Sequence, residues 1–171
     1  SDKDPNLLPY TTVGNAILNI AGLNEKDIPN HIALAHKPLV AERMSYVPEG
    51  GKLDLNTLPE HLQNATRKDS KTGKVANYSH VYKRLDRNKP STTMVPGHNA
   101  FPIHPTLNRT LTPREAARIQ TFPDTLEFFG TRQQQCIQAG NAVPPKMAEP
   151  FFRKINEYIE EFTKGNIGDE P

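Results

Sequence analysis

Sixteen prolines and ten glycines interrupt this 171-residue chain, and they limit how much of it can form regular structure. Both residue types favour turns and loops over the interiors of helices and sheets. Hydrophobic residues make up 35% of the chain and charged residues 23%, which permits a core of modest size. The length is typical of a single domain. We therefore expect a loop-rich globular unit.

Simple features exclude several kinds of protein. The longest apolar run, residues 16–23, contains Asn19 and is too short to span a bilayer, so no membrane partner is expected. No leader sequence opens the chain, and we expect a cytoplasmic protein. The single cysteine excludes an internal disulfide framework. The six histidines lack metal-ligand spacing, so no metal cofactor is expected.

The net charge of +2 conceals a basic middle segment between two acidic ones. Residues 66–118 hold eleven Lys and Arg against three Asp and Glu, whereas each flanking segment holds five against eight. Such a segment is typical of a contact with a polyanion. A solvated loop better explains one group of cations, Arg67, Lys68, Lys71 and Lys74. The cations around a strand-like run are better candidates for a fixed contact, namely Lys83, Arg84, Arg87 and Lys89.

Hydrophobic periodicity predicts short helices in the first half of the chain. The first covers residues 12–23 with Thr12 as its N-cap, and the second covers residues 38–47. A single helical turn is predicted at residues 58–62.

Short strands are predicted in the middle of the chain, where Val, Tyr and Thr occupy alternating positions. They cover residues 78–85 and 91–95 and are joined by a turn at 86–90. The polar stretch 64–77 is predicted to be a loop, and so is the stretch 96–105, which contains Gly97, His98 and Asn99.

The C-terminal third is more regular. The sequence Thr112-Pro113-Arg114-Glu115 is a capping box with proline at the first helical position, and it predicts a helix that ends before Phe122-Pro123. A second helix is predicted at residues 131–138, followed by a turn at Gly140-Asn141.

A longer helix is predicted to begin at Pro144-Pro145, and Pro150 either kinks it or marks a later start. One face carries an apolar stripe formed by Met147, Phe151, Ile155, Tyr158, Ile159 and Phe162. The chain's own core is the default partner for this apolar stripe. The rest of the sequence offers few apolar strands to cover it, which indicates that part of the structure is supplied from elsewhere.

No complete catalytic set occurs in the sequence. It has neither a GxGxxG sequence nor a P-loop, and therefore no self-contained nucleotide site. Cys136 lies beside Ile137 in a helical stretch, which favours a small buried hydrophobic residue over a nucleophile.

Two stretches resemble motifs of the DNA (cytosine-5) methyltransferases. Residues 109–124, RTLTPREAARIQTFPD, resemble the ninth motif, and residues 138–145, QAGNAVPP, resemble the tenth. Residues 84–93 resemble the end of the family's target recognition domain, and residues 42–51 resemble its start. The motifs occur in the family's order and with its spacing.

The resemblance implies an α+β fold: a small irregular mixed domain with short β-strands, and C-terminal helices that would dock on a Rossmann-like catalytic domain. It divides the chain into a tail or linker at residues 1–10, a target recognition domain including motif nine at 11–130, and motif ten with the C-terminal helix at 131–171. It also implies a bacterial cytoplasmic protein of a restriction-modification system.

The family methylates carbon 5 of cytosine in duplex DNA with S-adenosyl-L-methionine, after flipping the base out of the helix. It does so with a Pro-Cys nucleophile, a Glu-Asn-Val acid and a glycine-rich cofactor loop, and none of these occurs in this sequence. The resemblance therefore implies a chain that is inactive alone. Its expected partners are double-stranded DNA and an N-terminal catalytic domain or subunit, with which it would share the cofactor.

The resemblance also assigns candidate site residues. Asn141 would offer its amide to the amino-acid end of the cofactor, with Ala142 and Val143 packed beside it. One of the two threonines Thr92 and Thr93, with Thr93 favoured, would lie against the DNA backbone near the target base. The expected phosphate contacts are Lys83, Arg84, Arg87, Lys89 and Arg109.

Some assignments stay open at this stage. His98 and Asn99 either read bases or belong to an ordinary loop. Arg114 and Arg118 either pack their helix and bridge to acids or contact DNA. Two other functions remain as alternatives: a standalone DNA-binding module without a catalytic partner, and an interaction domain that does not bind DNA. A standalone module should cover the apolar stripe, and a domain that does not bind DNA should show no salt-dependent affinity for duplex.

Overall fold

The computed structural model describes residues 9–54, 57–63, 82–95 and 101–166. Five short helices, one long helix and the connecting loops account for nearly all of these residues. The α-helices within the described ranges are α1 Val13–Ile17, α2 Pro38–Ser45, α3 Glu60–Gln63, α4 Pro113–Ile119, α5 Arg132–Asn141 and α6 Pro145–Asn166.

The predicted strands are not present as strands in the described residues 82–85 and 91–95, and residues 78–81 lie outside them. In their place are three isolated β-bridges, which join Lys52 to Lys83, Arg84 to Ile103 and Ile103 to Thr110. Val, Tyr and Thr favour extended backbone, but a ladder also needs a continuous partner with an N–H at each position. Pro102 lacks such a donor beside the bridged Ile103, and Pro90 lacks one immediately before residues 91–95, which disfavours a continuous ladder at either place.

The early helices start where the sequence predicts them but are shorter. The Thr12 hydroxyl accepts a hydrogen bond from the backbone N–H of Asn15, which confirms it as the N-cap of α1. Regular α-helix ends at Ile17, and a 3-10 turn, Leu18–Ile20, follows it. The second helix is confirmed with Pro38 in its first turn.

The capping box of α4 is confirmed in both directions, between the Thr112 side chain and the Glu115 backbone and between the Glu115 side chain and the Thr112 backbone. The predicted turn at Gly140-Asn141 is wrong, because these two residues are the last of α5. The helix ends instead at Ala142, which is extended at φ −73° and ψ 146°. Val143 precedes a proline, and a residue in that position is disfavoured in the helical region.

The main core is assembled from α1, α4 and α5. Val13 and Ile17 of α1 pack with Ala116 and Ala117 of α4 and with Ala139 of α5 in one buried cluster. Cys136 belongs to this cluster and is fully buried, as its sequence context predicts. A smaller cluster joins the end of α2 to the central loops through Met44, Val47 and Ile103.

The last helix lies outside both clusters. α6 begins at Pro145 and continues through Pro150, which excludes the alternative of a later start. Every residue of the apolar stripe is more than half exposed, from 51% for Ile155 to 70% for Tyr158. The described part of this chain therefore does not cover the stripe.

Two buried arginines hold the loops of the described ranges, where no sheet is formed. Arg84 uses all five of its N–H donors inside the protein, at distances of 2.6–2.9 Å. Its acceptors are the carbonyls of Met44, Val47, His104 and Leu107 and the side-chain oxygen of Asn108. Arg114 is fully buried and donates in the same way to the carbonyls of Pro29, Pro123 and Leu126 and to the Asn30 side chain.

We expect Arg84→Lys to lower the free energy of unfolding by about 2–4 kcal/mol, because three ammonium donors cannot replace five guanidinium donors among buried acceptors. Urea denaturation followed by circular dichroism measures the change. Arg153→Lys is the matched control: this side chain is 70% exposed and pairs with Glu149, so the change should cost less than about 0.5 kcal/mol. Equal losses in the two variants would contradict the structural role of Arg84.

Candidate nucleic-acid interface and cofactor turn

The structure brings two of the expected phosphate-binding residues together in one turn, Asp86–Lys89, which we call the basic turn. The Arg87 guanidinium donates to both carboxylate oxygens of Glu49 at 2.8 Å, and the Arg87 backbone N–H donates to the same carboxylate at 2.9 Å. Lys89 pairs with Asp86 at 3.0 Å. The Lys89 side chain is still 73% exposed and that of Arg87 44%, so both can reach a ligand in solvent.

The basic turn is fixed to the core through its backbone. The carbonyls of Arg87 and Lys89 accept hydrogen bonds from the N–H groups of Gly14 and Val13, each at 2.9 Å. These are first-turn N–H groups of α1, which have no acceptor within their own helix. A Cβ atom at Gly14 would lie 2.7 Å from the Arg87 carbonyl oxygen, so only glycine permits this approach. The first helix thus holds the basic turn rigidly.

Glu49 remains charged in this arrangement. Hydrogen bonds from the Arg87 side chain and backbone lower the pKa of the Glu49 carboxyl to about 2. The carboxylate therefore keeps the Arg87 side chain in one orientation at any neutral or mildly acidic pH. The carboxylate also reduces the net positive charge of the turn. Of the two cations in the turn, Lys89 is the more exposed.

The other expected DNA contacts are placed separately. Lys83 is half-buried beside its bridge to Lys52, Thr92 is half-buried and Thr93 is exposed. His98 and Asn99 lie outside the described residues.

Two of the expected phosphate contacts face the protein interior. Arg84 spends all of its donors on the internal acceptors described above. Arg109 donates to both oxygens of the buried Glu115 carboxylate at 2.7 Å, and its side chain is 15% exposed. For the two arginines of α4, the structure favours a role in packing over a contact with DNA, because Arg114 is fully buried and Arg118 forms an ion pair with Asp124.

Several polar groups surround the buried Glu115 carboxylate. Burial alone would raise the pKa of the Glu115 carboxyl, but hydrogen bonds from Arg109 and from the Thr112 N–H hold it below its usual value. His104 lies beside it with its Nε2 3.7 Å from Glu115 Oε1, and burial lowers the pKa of His104 to about 4. Its Nδ1 accepts backbone N–H groups from Thr106 and Leu107 at 3.2 Å, so the neutral ring carries its proton on Nε2. This histidine is structural, and no spacing in the sequence marks it.

The expected cofactor residues form a short connection between α5 and α6, residues 141–143, which we call the cofactor turn. Asn141 is exposed at the end of α5, Ala142 is half-buried, and Val143 is 62% exposed. An exposed amide beside an exposed apolar side chain suits a ligand with both polar and apolar parts. These residues therefore fit the assigned contact with the cofactor.

Two residues that the sequence pattern did not single out support the cofactor turn. Gln120 donates from its side-chain amide to the Ala139 carbonyl, before the turn. The Thr121 hydroxyl accepts from the Lys146 N–H at 3.2 Å, after the turn. Both lie at the end of α4, twenty residues away in sequence, and neither periodicity nor a local motif would reveal the contact.

Two further features are absent from the described ranges. No group of three or more His, Cys, Asp or Glu side chains there could hold a metal ion. Nor does any helix in that part of the chain combine the length and apolarity needed to cross a membrane.

Comparison with known proteins identifies the family. Residues 5–157 match the model of the C-5 cytosine-specific DNA methylases. The Type II methyltransferase M1.HphI of Haemophilus parahaemolyticus is 38% identical over 155 residues, which cover 89% of this chain but 38% of that protein. M.AquIB of Picosynechococcus is also 38% identical, over 144 residues that cover 77% of this chain and 90% of that protein. The chain belongs to the C-5 cytosine-specific DNA methylase family.

Further matches agree with this. DNA (cytosine-5)-methyltransferase 2 of Arabidopsis thaliana is 34% identical over 80% of this chain, which is 10% of that protein. A crystal structure described as a DNA modification methyltransferase from an E. coli prophage superposes with a TM-score of 0.50 at 28% identity. The match covers 75% of this chain and 28% of that one. The chain thus spans well under half of most of these relatives and nearly all of M.AquIB.

Proposed function

We propose that this chain supplies DNA target recognition and completes the cofactor site of a cytosine-5 DNA methyltransferase, acting with a catalytic domain that it does not itself contain. The observation that carries the proposal is the exposed apolar stripe of α6 in a chain that belongs to the C-5 cytosine-specific DNA methylase family. Methyl transfer requires a Pro-Cys nucleophile and a Glu-Asn-Val acid in this family, and neither sequence is present. The catalytic domain supplies them.

The apolar stripe is the proposed docking surface for that domain. Six large apolar side chains on one face of a 22-residue helix are each more than half exposed. An exposed patch of this kind marks a protein interface. The larger part of M1.HphI lies outside the matched region, whereas M.AquIB is little longer than its own match, which supports a division into two parts. A standalone DNA-binding module would cover the stripe, so its exposure disfavours that alternative.

The cofactor turn contributes to the S-adenosylmethionine site at the edge of this interface. The cofactor supplies the methyl group when it is bound. Asn141 offers an amide that can donate to a carboxylate and accept from an ammonium group, as the amino-acid end of the cofactor requires. Val143 offers apolar contact and helps to exclude water. Both side chains belong to the short turn that precedes α6, the helix proposed to contact the catalytic domain.

The basic turn is the proposed phosphate contact among the described residues. A cytosine inside a stacked duplex is inaccessible at carbon 5, and flipping it out costs a few kcal/mol. Contacts to the sugar-phosphate backbone offset part of that cost and fix the register of the protein on DNA. Arg87 and Lys89 provide donors on a turn that is hydrogen-bonded to α1, and Lys83 and Thr93 are further donors. Arg84 and Arg109 act indirectly by holding the loops in place.

We expect Lys89→Gln to make the slope of log affinity for duplex DNA against log salt concentration less negative by about 1, because one phosphate contact is lost. Fluorescence anisotropy at several salt concentrations measures the slope. Lys26→Gln removes an equal charge from the acidic N-terminal segment and should leave the slope unchanged. Equal slopes in the two variants would remove Lys89 from the interface.

Reconstitution tests the whole proposal. The chain alone should transfer no labelled methyl groups from S-adenosylmethionine to duplex DNA, whereas a mixture with the catalytic domain of its native enzyme should methylate carbon 5 of cytosine. Ile155→Glu, within the apolar stripe, should abolish this complementation because it buries a charge. Lys154→Glu introduces the same residue at the preceding position, whose side chain is 79% exposed, and this variant should complement normally.

Methylation by the chain alone would contradict the proposal. So would full complementation by Ile155→Glu, or a reconstituted enzyme with no preference for a DNA sequence.

A further inference from the structure

Thr121 is held in a backbone conformation that β-branched residues avoid. It follows Gln120, the residue that caps the C-terminal end of α4, and has a φ of 65°, in the left-handed region. The end of α4 locks this conformation, because Thr121 N donates to the Arg118 carbonyl and Phe122 N donates to the Ala117 carbonyl, each at 2.9 Å. Glycine fills such helix-ending positions with less strain. A strained threonine therefore indicates a role for its side chain.

The Thr121 hydroxyl has one clear contact outside its own helix end. It accepts the backbone N–H of Lys146, the second residue of α6. First-turn N–H groups have no acceptor within their helix. The next two N–H groups, of Met147 and Ala148, are satisfied by the Pro144 carbonyl at 2.9 and 3.0 Å. Thr121 supplies the acceptor for Lys146 and joins the end of α4 to the start of α6.

Gln120 anchors the other side of the same turn. Its side-chain amide donates to the carbonyl of Ala139, which lies in the last turn of α5 where carbonyls lack donors within the helix. The cofactor turn therefore lies between two points, both held by the end of α4. These contacts fix where the turn begins and where α6 starts.

We propose that Gln120 and Thr121 are positioning residues for S-adenosylmethionine: they fix the cofactor turn in the geometry that binds it, without touching it. The proposal rests on the proposed cofactor role of Asn141 and Val143. Thr121 makes the larger contribution to this positioning, because Ala139, the residue that Gln120 contacts, is also fixed by its burial in the core. The start of α6 lacks comparable burial within the described residues, where the apolar stripe of this helix is exposed.

Three substitutions of Thr121 separate its hydroxyl from its shape and its strain. Thr121→Val keeps the branched shape and the strained backbone but removes the acceptor. Thr121→Ser keeps the acceptor. Thr121→Gly removes both the acceptor and the strain. The enzyme assembled with its catalytic domain is assayed by calorimetry for S-adenosylmethionine affinity and by anisotropy for DNA affinity, and amide hydrogen exchange at Lys146 is measured in the same samples.

We expect Thr121→Val and Thr121→Gly to weaken S-adenosylmethionine binding about three- to tenfold, the effect of one lost hydrogen bond. Exchange at the Lys146 amide should accelerate by a similar factor, while the DNA affinity and the melting temperature of the protein should change little. Thr121→Ser should match the parent protein in every measurement. Cofactor affinity that is unchanged in Thr121→Val, or equally reduced in Thr121→Ser, would overturn the positioning role.

Asn141→Ala separates this proposal from the one on which it rests. If Asn141→Ala weakens cofactor binding and Thr121→Val does not, Gln120 and Thr121 are not positioning residues although the turn binds cofactor. If Asn141→Ala has no effect, the cofactor role of the turn itself is refuted. The exchange rate at Lys146 then still reports whether the Thr121 contact forms.

Discussion

Hydrogen bonds from buried guanidinium groups to backbone carbonyls are the interaction on which this fold depends. A chain interrupted by sixteen prolines forms only isolated β-bridges in its described central loops, so many carbonyls have no ladder partner. Buried carbonyls without donors would cost about 1–3 kcal/mol each. Arg84 and Arg114 remove this cost by gathering carbonyls from several loops around one rigid fork of donors. The loops around α2 and α4 therefore have defined positions without a sheet.

This arrangement explains which parts of the structure the sequence could predict. Helix caps are local, so the capping box of Thr112 and Glu115 was evident from four residues, and the lone Cys136 was predicted to be buried from its neighbours. Strand pairing and arginine burial depend on residues far apart in the chain. Nothing around Arg84 distinguishes an arginine that binds five internal acceptors from one that binds phosphate, and its basic context suggested DNA. The resemblance to motifs nine and ten gave the family, which the comparisons confirm.

The two proposed ligand surfaces are linked through the same core. The N-terminus of α1 holds the basic turn, and the C-terminal end of α4 holds the cofactor turn. α1 and α4 pack together in the main cluster, and Arg118 of α4 donates to the Ala16 carbonyl of α1 at 3.3 Å. The residues that would contact DNA and those that would contact the cofactor are therefore attached to the same buried cluster. A shared support of this kind suits a reaction in which an extruded base and a methyl donor must meet at a fixed distance.

The decisive question is whether the apolar stripe of α6 becomes covered when methyl transfer becomes possible. Hydroxyl-radical footprinting of Phe151, Tyr158 and Phe162, with and without the catalytic domain, answers it directly. We expect strong labelling in the chain alone and several-fold protection in the mixture that methylates DNA, with Tyr46 labelled equally in both. Protection in the isolated chain, or unchanged labelling in an active mixture, would show that α6 does not join this chain to a catalytic domain.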